Sequence, residues 1–173
     1  MATDPILVAE DAMSLTVESP QIAQAVAARL RGVEQSRPWE EVVPGLTTVT
    51  VRFDPMTTSQ GEVSQALLKA AALSVKERDE PRAVITIPVR YGGDDGPDFG
   101  DVCHQLSMSA EALIARHTAA THRVDMMGFT PGFAYLSADD APWAVPRLGV
   151  PRPRVPAGSV GVSAGYTGLF ALP

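Results

Sequence analysis

The feature that most constrains this chain is a change of pattern part-way along it. Up to about residue 76 apolar residues recur at alternating strand and helix spacings. Beyond a charged, proline-containing segment at 77–82 (Glu-Arg-Asp-Glu-Pro-Arg) they come in short runs broken by glycine and proline. A chain with such a change is expected to fold as two domains, with the boundary in the charged segment. The expected bounds are residues 1–80 and 83–173.

The first part reads as a small α/β sandwich. Ile6-Leu7-Val8 and Leu15-Thr16-Val17 flank Glu10-Asp11 and suggest a hairpin. Ser19-Pro20 opens a helix, since serine caps free N–H groups and proline fits the first helical position. Ile22, Val26, Leu30 and Val33 follow on one face, and Gly32 is expected to end the helix. Val42-Val43 and Thr47–Phe53 read as strands around Pro44-Gly45. Ser59 with Glu62 is a capping-box pattern, and Val63, Leu67 and Ala70 give a second helix its apolar stripe. Helices covering one face of a sheet are the expected architecture.

The second part is expected to open with a strand at Ala83–Val89. A turn-rich stretch, Tyr91 to Asp98, follows, and then a helix capped by Ser109 and ending near His117. After Arg123–Met127 come the aromatic segment 128–136, a proline-rich arm at 142–156 and glycines from 158 to 168. Short strands with many Gly and Pro turns suggest a β-barrel or sandwich, so the class is α+β.

Charge and composition narrow the function. A formal charge of −6 leaves no basic stripe for a nucleic-acid backbone or an anionic membrane. No apolar run approaches the ~20 residues of a membrane span, and the N-terminus has no basic region before an apolar run. A cytoplasmic location is expected. The single cysteine, Cys103, excludes a disulfide within the chain.

Several motifs invite chemistry. Gly161-Val162-Ser163-Ala164-Gly165 matches a nucleophile elbow, but no Asp, Glu or His follows it to complete a triad, so a turn is expected. The glycines of 158–168 serve either an anion cradle or barrel geometry, and a phosphate-loop lysine is absent after Lys76. Asp94, Asp95 and Asp98 miss the spacing of a calcium loop and read as a solvated turn. His104, His117 and His122 lack metal-ligand spacing, so no metal site is expected. His117 is either a catalytic group or a cation at a helix C-terminus. Arg147, Arg152 and Arg154 stand in the proline-rich arm, held either for bidentate anion binding or as surface charge. Phe129, Phe133 and Tyr135 around Pro131-Gly132 form a core, an interface or a pocket wall.

Gly128-Phe-Thr-Pro-Gly-Phe-Ala-Tyr-Leu136 resembles the Gly-Phe-x-Pro-Gly-Phe-x-Tyr-Leu signature of the carboxyltransferase C/D family. Pro146-Arg147-Leu148, Pro151-Arg152 and Val155–Gly161 resemble its next blocks. Upstream, Pro88–Asp98 and Ser109 through His117 fit as well. The family includes subunits of ATP-dependent 5-oxoprolinases, allophanate-hydrolase-type subunits and a histidine-kinase inhibitor.

The resemblance implies a cyclophilin-like β-barrel for the second domain and a C-type partner subunit, with an A-type subunit also in the complex. It implies ATP-driven opening of 5-oxoproline to glutamate, with Mg2+ accompanying the ATP. It would give Arg147 and Arg152 the role of anion clamps, with His117 as a further catalytic candidate. Ser159 and Thr167 would be hydrogen-bonding groups, and Phe129, Pro131, Gly132, Phe133 and Tyr135 a pocket wall. The alternatives are a carboxyltransferase or allophanate-hydrolase-type subunit acting on urea-derived amides, and a module that binds and inhibits a histidine kinase. No biotin-accepting lysine segment is present. Two departures stand out. Tyr166-Thr167-Gly168 replaces the usual Gln-Thr-Gly, and the chain stops at Pro173 before two further family blocks, which implies a barrel short of its last strands.

Overall fold

Proline at position 20 begins the first helix, and its missing N–H leaves nothing unsatisfied there. This helix, α1 (Pro20–Gly32), ends at the expected glycine. In the computed structural model, residues 3–32, 39–73, 83–138, 143 and 145–172 are described. Val33 and the charged segment 77–82 lie outside them, as do positions 142 and 173. The chain divides into two compact units, Met1–Glu80 and Pro81–Pro173.

In the first unit β1 (Ile6–Ala9) and β2 (Ala12–Thr16) form the hairpin, followed after α1 by β3 (Glu41–Pro44) and β4 (Thr48–Arg52). The sheet is antiparallel in the order β1-β2-β4-β3. The second helix, α2 (Gln60–Ala72), carries both halves of the capping box. Ser59 Oγ accepts from the Glu62 backbone N–H, and the Glu62 side chain accepts from the Ser59 backbone N–H. Alternation along β4 sends Val49 and Val51 inward, where they meet Leu15, Phe53, Val26, Val63 and Leu67 in one core. Each such side chain contributes about 1.5–3 kcal/mol through burial. Ser14 and Thr50 leave the sheet on its other face and hydrogen-bond across the ladder at 3.1 Å.

The second unit contains α3 (Phe99–Leu106), α4 (Ala110–Ala119), β5 (His122–Met127), β6 (Ala134–Ala138), β7 (Val160–Ser163) and β8 (Tyr166–Leu169). Its sheet is antiparallel in the order β5-β6-β8-β7. Helix α4 starts where Ser109 accepts a hydrogen bond from the Ala112 N–H, as expected. Helix α3 was not expected from the sequence. It packs Phe99, Val102, Cys103 and Leu106 against a cluster of Leu113, Trp143 and Val145.

Two expectations for this unit are not met. Ala83–Val89 forms no strand, and Val84, Ile85 and Ile87 are exposed. A strand is defined by a neighbour's backbone groups, and no described strand supplies them here. Nor does the sheet close into the expected barrel: it has four strands with β5 and β7 at its edges, whereas a closed, side-chain-filled barrel takes about eight. The fold shown is α+β, built on two open, four-stranded antiparallel sheets.

Candidate functional site

The signature Gly128–Leu136 makes the link from β5 into β6. Phe129 has φ +72° and Gly132 φ +80°. The Gly128 N–H donates to the Phe133 carbonyl at 3.2 Å and the Phe133 N–H to the Thr130 carbonyl at 3.0 Å, which closes the loop. Directly opposed residues of a ladder share a face. Tyr135 opposes Gly168, and Leu136 opposes Thr167. Tyr135 and Thr167 therefore leave the sheet on opposite faces, and the expected site residues are divided between the two.

One face is aromatic. Phe133 is buried and meets Phe129, Tyr135 and Phe170 edge-on, with ring centroids 5.5, 4.8 and 4.8 Å away. Tyr135 in turn meets Tyr166 at 6.4 Å. Glycine makes this packing possible, since a Cβ on Gly168 would lie 2.7 Å from Phe133 Cζ. Phe129 stands at the rim, 78% exposed, and Pro131 and Gly132 are exposed beside it. A buried carboxylate, Asp125, lies where the β5–β6 register slips between Val124 and Met126. Burial first, and the Asp125 charge second, raise the Tyr166 phenol above its ordinary pKa.

The other face carries Val162, which packs with Leu113, Trp143 and Val145, and Thr167, which opposes Val162. The His117 ring meets His122, Trp143 and Tyr91 edge-on at 4.8, 5.6 and 5.8 Å. Arg116 stacks over Trp143 at 4.3 Å. Thr167 Oγ1, His122 Nε2 and Trp143 Nε1 are buried without a hydrogen-bond partner among the described residues. Buried polar groups are nearly always paired, so these atoms are groups that a water or a small polar ligand would satisfy.

The arginines separate. Arg152 pairs with Asp98 through both carboxylate oxygens, tying the proline-rich arm to the start of α3, so this guanidinium already holds an anion of its own chain. Arg147 is exposed with no hydrogen-bond or ion-pair partner among the described residues. Ser159 opens the last hairpin, its carbonyl accepting from the Phe170 N–H at 3.0 Å.

Ser163 ends β7 ahead of a turn through Ala164 (φ +51°) and Gly165 (φ +86°). Strand, turn, strand is the wrong context for a nucleophile elbow. Three N–H groups of the hairpin are already engaged within the chain. The N–H groups of Gly158, Ala164 and Gly165 donate to the carbonyls of Phe170, Val145 and Trp143. Among the described residues no group of three or more His, Cys, Asp or Glu could hold a metal ion, and no helix is long and apolar enough to cross a membrane.

Tyr91, Asp125 and Trp143 were not proposed as site residues from the sequence, and His122 and Tyr166 were noted only as a histidine without metal spacing and as a departure from the family pattern. Asp125 had a readable signal, since Asp is depleted in strands. The others are recognised only through what they touch.

The family profile "Carboxyltransferase domain, subdomain C and D" matches residues 4–173. The chain belongs to that family. Among curated members of the carboxyltransferase C/D family, the B-type subunit of 5-oxoprolinase from Bacillus subtilis (strain 168) is 33% identical over 166 residues, covering 87% of this chain and 67% of the relative. The protein of the same name from Escherichia coli O157:H7 is 33% identical over 132 residues, covering 76% and 60%. A crystal structure of TTHA0988 superposes on the whole chain with a TM-score of 0.71 and 32% identity, covering 33% of its own chain. The chain thus spans 60–67% of the length of these two curated relatives.

Proposed function

We propose that this chain is a subunit of an ATP-dependent 5-oxoprolinase, a cytoplasmic complex completed by a C-type and an A-type subunit. The observation that carries this reading is the 33% identity to a B-type 5-oxoprolinase subunit across 87% of the chain. The lactam of 5-oxoproline is resonance-stabilised. Phosphorylation of its oxygen by ATP, with Mg2+ on the phosphates, would make the ring carbon electrophilic. Water would then add and the C–N bond break, leaving γ-glutamyl phosphate, and a second water would release phosphate to give glutamate.

The helix-side face suits the polar part of this work. 5-Oxoproline is small and carries a carboxylate and an amide. The buried, unpartnered atoms of Thr167, His122 and Trp143 are the kind of groups such a ligand would satisfy. Arg147 is the clamp we assign to an anion, because Arg152 is engaged by Asp98. The aromatic face, with Phe129 at its rim, suits an apolar contact with the C-type subunit.

The family description keeps a carboxyltransferase reading in play, so the test is one of substrate. The assembled complex is given ATP and Mg2+ with either 5-oxoproline or urea and bicarbonate. ADP and glutamate should appear with 5-oxoproline. ADP release with the urea mixture alone would overturn the reading. Within an active complex, Arg147→Ala should lower turnover by about 10–100-fold, the loss expected for one charge-assisted hydrogen bond. Assembly, checked by size-exclusion chromatography, should be unchanged.

A further inference from the structure

The Tyr91 hydroxyl lies 2.6 Å from His117 Nδ1. Either group can carry the shared proton, and the choice decides what the far side of the imidazole does. Two considerations favour the phenol as the donor. Tyr91 has no second hydrogen-bond partner among the described residues. If Nδ1–H were the donor, the phenol proton would have no acceptor among the described residues, whereas donation to Nδ1 satisfies it. The phenolic oxygen, its lone pair drawn into the ring, is also a better donor than acceptor. Burial acts in the same direction by raising the Tyr91 pKa, which keeps the hydroxyl protonated.

We propose that Tyr91 is a positioning residue that fixes neutral His117 as its Nε2–H tautomer. Any exchange that His117 makes through Nε2 is then a donation and not a proton abstraction. A histidine with one nitrogen held by an acceptor or a donor has its other nitrogen defined by that bond. The surroundings hold the ring still. Tyr91 packs against Phe99 of α3 at 5.7 Å, and the imidazole sits edge-on to His122 and Trp143. The role of His117 follows. In the ring opening proposed above it would donate to an oxygen of the lactam or carboxylate, not activate water. That consequence rests on the proposed function, whereas the tautomer does not.

The experiment reads the tautomer directly. Long-range proton–nitrogen correlation spectra of the 15N-labelled full chain are recorded at about pH 8, above the ordinary histidine pKa of about 6.5. His117→Gln identifies the resonances. The expected result is a single tautomer with the proton on Nε2, and in Tyr91→Phe a shift of His117 toward a mixture of both. Phenylalanine keeps the ring contacts, so the change isolates the hydroxyl. An Nδ1–H pattern in the wild type would overturn the proposal even if Tyr91→Phe failed to fold, and so would an unchanged tautomer in a folded Tyr91→Phe. Turnover plays no part in this readout, so it stands or falls separately from the substrate assignment.

Discussion

Leu67 shows how much one residue carries in the first unit. It is fully buried between α2 and the sheet. Leu67→Ala removes its burial and leaves a void, so stability should fall by about 2–5 kcal/mol. Urea unfolding with an unchanged slope would register this as a lower midpoint. Glu62 gives a pH-dependent counterpart. Its carboxylate accepts first from the Ser59 backbone N–H and then from the Ser59 hydroxyl, and both hold its pKa below the ordinary value. A lowered folded pKa adds stability above the unfolded pKa and loses it as pH falls through the folded one. Thermal melts should therefore show Glu62→Ala less stable than wild type at neutral pH, and the gap should narrow below about pH 4. A gap that persists undiminished at acid pH would mean that the ionised carboxylate is not what caps the helix.

At the scale of elements, legibility depended on whether the signal was local. The capping box at Ser59–Glu62, the Pro20 start of α1 and the Ser109 cap of α4 were readable because each is a contact within a few residues. Helix α3 was missed. Its apolar residues Phe99, Val102, Cys103 and Leu106 have helical spacing, but the Gly, Pro and Asp run before it reads as turn. Ala83–Val89 shows the reverse error, strand composition without a partner strand. The aromatic segment 129–135 was readable as a cluster, yet not that the sheet would put Tyr135 and Thr167 on opposite faces, since register is set by pairing. Gly168 offers a test of that packing. Gly168→Ala brings a methyl within 2.7 Å of Phe133 Cζ. Overpacking of this kind costs about 1–3 kcal/mol, and near-ultraviolet circular dichroism should show the aromatic cluster disturbed while α1 and α2 keep their helical signal.

On the scale of the whole molecule, the two open sheets and the exposed Val84, Ile85 and Phe129 describe a chain with apolar surface to cover. Family membership is fixed by the match over residues 4–173, and the activity is inferred through relatives that are themselves subunits by name. The central claim is that this chain is a necessary part of an ATP-dependent 5-oxoprolinase. Its most direct test is glutamate formation from 5-oxoproline and ATP by A-type and C-type subunits, measured with and without this chain. The account predicts turnover only when all are present, and none from the chain alone. Full turnover without the chain, or robust turnover by the chain alone, would contradict it.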